Sequence, residues 1–125
     1  MDLQELYESI DGSYKQAMTV LRVEKLVDKH IRKLPQNGVV DDLIAAGDTM
    51  DPKQLFETAH AVKGVCANLG LTGLASAASE ITEEFRSGNP RKLTDEQVQD
   101  RIHAIAVLYE KTKDGIARYE ASKQE

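Results

Sequence analysis

Residues 51–70 read DPKQLFETAHAVKGVCANLG, and the spacing of apolar side chains within them decides the fold class. Leu55, Ala59, Val62, Cys66 and Leu69 recur at alternating gaps of four and three, the repeat that lines one face of an α-helix. Asp51 is a suitable N-cap, Pro52 suits a first turn whose amide has no helical partner, and Gln54 completes a box-like spacing. At the far end, Leu69-Gly70 offers a left-handed stop. A strand would alternate at every second position, and no segment of the chain does so.

The same repeat continues on both sides. Leu71, Leu74, Ala78, Ile81 and Phe85 form one seam, and Val98, Ile102, Ile105, Tyr109, Thr112 and Ile116 form another between Thr94 and Tyr119, with Asp95 and Glu96 favouring its N-terminus. Upstream, Val23, Leu26, Val27, His30, Ile31 and Leu34 give a fourth amphipathic helix. His30 falls on that stripe and is expected to be buried, neutral and held by one hydrogen-bond partner. Shorter helical pieces at Leu3 to Ile10, Ser13 to Val20 and Val39 to Ala46 would lead in and cap. Prolines 35, 52 and 90 and the glycines read as helix boundaries, with stops expected at Leu34 to Gly38 and at Gly47-Asp48. Short connections between the last three helices imply antiparallel neighbours. The expectation is an all-α fold, an up-and-down antiparallel four-helix bundle with additional short N-terminal helices. One domain would span residues 1–125, with the N-terminal helices and first bundle helix in 1–47, a histidine-bearing helix in 51–70, and the remaining bundle helices in 71–87 and 94–120. The polar end, Ala121 to Glu125, is expected to fray.

Composition narrows the function classes. The chain has 125 residues, 16 basic and 21 acidic side chains, a net charge of −5 and a single cysteine. One cysteine forms neither an internal disulfide nor a thiolate zinc site, and the acidic balance argues against a phosphate-backbone binder such as a nucleic-acid protein. The apolar runs are too short to cross a membrane, and Met1-Asp2-Leu3-Gln4-Glu5 is acidic where a signal peptide is basic, so a cytoplasmic location is expected. No phosphate loop or kinase glycine-rich loop is present, so the chain is not expected to be an enzyme with its own ATP site. Glu57-x-x-His60 and Asp100-x-x-His103 match the spacing of di-iron bundles, but both pairs lie off their seams, and no metal site is expected.

At about 100° of rotation per residue, His60 points roughly 140° away from the seam of its helix, toward solvent. Lys63 and Gly64 follow one turn along the same face, and Ala67 a turn later. A mid-helix glycine costs about 1 kcal/mol relative to alanine. On an outward face it does nothing for the core, so Gly64 suggests steric clearance for a large partner. A neutral imidazole is a competent nucleophile near neutral pH, and the Lys63 ammonium would neutralise an anion brought to the ring, phosphate above all.

The run His60-Ala61-Val62-Lys63-Gly64-Val65-Cys66-Ala67-Asn68-Leu69-Gly70 resembles the signature of histidine-containing phosphotransfer (HPt) domains. Leu71 to Glu80 is similar to the small-residue helix that follows the histidine helix in that family, and the resemblance covers most of the chain. It implies a phosphorelay intermediate of two-component signal transduction. Such a protein takes a phosphoryl group from a receiver aspartate or a histidine kinase and passes it to the receiver aspartate of a response regulator. The receiver supplies Mg²⁺, so this chain needs no cofactor of its own. On that resemblance His60 is the phosphoacceptor, Lys63 stabilises the phosphohistidine, and Gly64 gives the receiver room. Arg86 falls where some members carry a cation near the ring, and Phe56, Glu57, Ala67 and Asn68 would be docking contacts. A monomer is expected. Val62 and Cys66 depart from the family's usual leucine and small hydroxyl residue, both on the packing side. The alternative reading is a helical adaptor that binds a receiver or kinase without carrying phosphate.

Overall fold

Capping side chains set the helix starts. The Asp2 carboxylate accepts from the Glu5 amide and the Ser13 hydroxyl from the Gln16 amide. Asp51 accepts from Lys53, and Thr94 and Gln97 exchange a reciprocal pair of bonds. The computed structural model describes residues 1–123, and every regular element among them is a helix. In order these are α1 (Leu3–Ser9), α2 (Tyr14–Leu21), α3 (Glu24–Asn37), α4 (Val39–Thr49), α5 (Pro52–Asn68), α6 (Thr72–Glu84) and α7 (Asp95–Lys123). Among the described residues no helix is long and apolar enough to cross a membrane.

The seams of α5, α6 and α7 are buried at every position read from the sequence. The α5 helix packs on α4 and α6, and α7 touches both of those, so the four enclose a common core. The α1 helix lies on α7, while α2 sits against α5 and α3.

The N-terminal third departs from expectation. The fourth place beside α5 and α7 is filled by α4, while α3 packs on α2 and α7. With so little to lie against, α3 buries a narrow line, Val27, Ile31 and Leu34. Val23 and Leu26 are 50% and 39% exposed, and His30, expected to be buried, is exposed. Pro35 is no boundary: it lies inside the last turn of α3, which gives up one backbone hydrogen bond there, and the helix stops at Gly38 with φ 80°. Gly47 is no stop either. It is buried within α4, where a Cβ would come within 3.1 Å of Ile102 on α7, and the helix ends at Met50 in the left-handed conformation. Gln54 does not close a box with Asp51 but accepts from the Thr49 hydroxyl. At the C-terminus α7 continues through Lys123, so Ala121 to Lys123 are helical; Gln124 and Glu125 lie outside the described residues.

The N-terminal helices also fix the end of α5. The Tyr7 hydroxyl donates to the Leu69 carbonyl at 2.6 Å, and the Ser13 amide donates to the Gly70 carbonyl at 2.7 Å. Gly70 has φ 71°, and a Cβ there would lie 2.2 Å from the Ser13 oxygen. Only glycine fits this turn, which holds α5 at a set height against α2.

Candidate functional site

The seam of α5 turns Leu55, Ala59, Val62 and Cys66 into the core and leaves the opposite face to His60, which is exposed. One turn earlier, half-buried Phe56 stacks its ring on the imidazole, with centroids 5.8 Å apart and planes inclined by 5°. One turn later come half-buried Lys63 and exposed Gly64. Open space surrounds the position a Gly64 Cβ would take, with no atom within 4 Å, so close helix packing does not account for this glycine. Half-buried Ala67 continues the bare strip.

The end of α6 adds two more groups. The Arg86 guanidinium lies 5.3 Å from the centroid of the Phe56 ring. Its Nε donates to the two Glu83 oxygens at 3.2 and 2.9 Å, and a terminal nitrogen reaches Oε2 at 2.8 Å. The Glu83 carboxyl is held below its ordinary range, first by the Arg86 hydrogen bonds, which together with the nearby charges of Arg86 and Lys63 outweigh the opposing effect of desolvation. Phe56 thus links the imidazole that stacks on its ring to the Arg86–Glu83 pair at the end of α6.

The expected site residues fall into two groups. Phe56, His60, Lys63, Gly64 and Arg86 come together, with Ala67 extending their strip. Glu57 is exposed on the flank. Asn68, one turn beyond Gly64, is exposed and also lines a cavity of about 320 Å³ with His30 and Lys33 of α3 and Leu21 of α2. Glu83 is the residue that sequence reading missed. Its spacing of three from Arg86, across the end of α6, was the available signal.

Other candidate chemistry finds less support. Glu57, His60, Asp100 and His103 are all exposed, and among the described residues no three His, Cys, Asp or Glu side chains gather as metal ligands. Cys66 is buried, and desolvation pushes its thiol up to about 12, which suppresses the thiolate that nucleophilic chemistry needs. The exposed cluster comprises one imidazole, two cationic side chains and an open strip at Gly64.

A protein-family model described as the Hpt domain matches residues 20–116, a span that holds every residue of this cluster. No curated protein and no solved structure matches the chain.

Proposed function

This chain belongs to the Hpt domain family, and from that premise we propose that it is a phosphorelay intermediate with His60 as its phosphoacceptor. Hpt domains are phosphocarrier modules of two-component signalling, without an ATP site of their own, that interact with receiver domains and histidine kinases. The observation that carries the assignment is His60 standing exposed on a strip that Gly64 leaves open, with Lys63 one turn along and Arg86 over the Phe56 ring that stacks on the imidazole.

In the proposed step a phosphorylated receiver docks over Phe56, His60, Gly64 and Ala67, with Glu57 and Asn68 at the margins. A ring nitrogen of His60 gives its lone pair to phosphorus while the bond from phosphorus to the receiver's aspartate oxygen breaks and its electron pair returns to that carboxylate. The proton on the other ring nitrogen stays with the ring, so no strong general base is required. Positioning, the receiver's Mg²⁺ and the Lys63 ammonium supply the stabilisation. Transfer onward to a response regulator is the same step reversed. The up-and-down antiparallel arrangement with N-terminal additions, a monomeric state and a cytoplasmic location are parts of the same reading.

The test is the chemistry of the label. Phosphoryl groups carried from a receiver onto this protein should be lost in acid and retained in alkali, as expected of a phosphoramidate bond, and absent from His60→Gln while its helical circular dichroism persists. Binding of receivers with no label transferred would favour a helical adaptor instead.

A further inference from the structure

Within the cluster, the Glu83 carboxylate has no part in the transfer step, yet it holds the cation nearest the Phe56 ring. Its neighbours on α6 are engaged elsewhere, Glu80 with Arg101 and Glu84 with Arg91. Glu83 is thus the carboxylate that faces Arg86. The pair is exposed, with side chains 51% and 42% accessible, and an exposed pair at a helix end is weak enough to exchange. A phosphoryl group on His60 would bring more negative charge to the same cations and offer Arg86 several acceptor oxygens in place of one carboxylate.

We propose that Glu83 is a positioning residue that keeps Arg86 on the Phe56 ring while His60 is free and competes with the phosphoryl group for Arg86 once His60 is phosphorylated. The inference rests on the reading that His60 carries phosphate. Its consequence is a phosphohistidine held less tightly than the two cations alone would hold it, which favours release to the next receiver. Removing the carboxylate should leave Arg86 free to pair with the phosphoryl group and shift the balance toward the phosphorylated protein.

Phosphoramidate provides a test that needs no receiver, since it transfers its phosphoryl group to imidazole and leaves as ammonia. At a fixed ratio of phosphoramidate to ammonium, the ratio of phosphorylated to free protein is read by intact mass and phosphorus NMR for wild type, Glu83→Gln, Arg86→Ala and the double variant. Glu83→Gln should raise that ratio roughly two- to fivefold, the scale of one exposed charge interaction. Arg86→Ala should lower it, and the double variant should match Arg86→Ala. A merely structural role for Glu83 would not make the gain depend on Arg86. An unchanged or lower ratio in Glu83→Gln, or a gain of equal size without Arg86, overturns the inference and leaves the phosphotransfer reading standing. A folded wild type that takes no phosphate under these conditions overturns both.

Discussion

A glycine in the interior of a 17-residue helix is a defect unless something requires it, and at position 64 nothing inside the molecule does. Gly64→Ala should therefore raise stability by about 0.5–1 kcal/mol, seen as a higher urea midpoint. Gly64→Gln should also fold while slowing or abolishing phosphoryl transfer, because its side chain fills the strip proposed for the receiver. Full transfer activity in Gly64→Gln would remove the case for clearance. Cys66 gives an independent check on the seam of the same helix. With its thiol pushed up to about 12 by burial, it should resist a thiol reagent at mildly alkaline pH in the folded protein and react once urea unfolds it. His60, Lys63 and Gly64 were legible because their shared face follows from rotation within a single helix. Glu83 was not, since its meaning depends on how α6 is set beside α5, which the spacing on either helix leaves open.

At the scale of elements, the connection from α6 to α7 is organised by a buried carboxylate. Glu84 accepts from the Lys92 and Leu93 amides at 2.9 and 2.8 Å and from Arg91 at 3.0 Å. Burial alone would raise its pKa, but those hydrogen bonds and the Arg91 charge outweigh it and hold the carboxyl below its ordinary value of 4.5. A carboxyl depressed in the folded state contributes stability that is present above the unfolded pKa and lost as pH falls through the folded one. Acid titration of wild type should show that loss below the ordinary carboxylate range. Glu84→Gln should lack this component and cost about 1–3 kcal/mol, because backbone amides lose a charged acceptor. Equal acid dependence in the two proteins would contradict the assignment. The seams of α5, α6 and α7 could be read because each helix buries a full face against others. The α3 stripe held at Val27, Ile31 and Leu34 and misled at Val23, Leu26 and His30, which that helix's narrow contact with its neighbours leaves outside. Gly47 misled for another reason: a glycine that lets two helices touch looks, in sequence, like one that ends a helix.

Across the whole molecule, α1 and α2 act as a brace on the histidine helix. Gly70→Ala places a methyl group against the Ser13 carbonyl in a conformation that strains any side chain, and should cost about 2–4 kcal/mol. Tyr7→Phe, which keeps the ring and loses the bond to Leu69, should cost about 1 kcal/mol. Both are checked by chemical denaturation, and near-wild-type stability in Gly70→Ala would show that the brace is not needed. This long-range contact joins residues 62 positions apart and left no local trace in the sequence beyond a glycine at a helix end. The brace ties α1 and α2 to Leu69 and Gly70 at the C-terminal end of the helix that carries His60. The most direct test of the central claim is the intact mass of the protein after incubation with a phosphorylated receiver and Mg²⁺, beside His60→Gln treated identically. One added phosphate in wild type and none in the variant is the predicted result; no addition with several competent receivers, or an addition that survives the loss of His60, would contradict it.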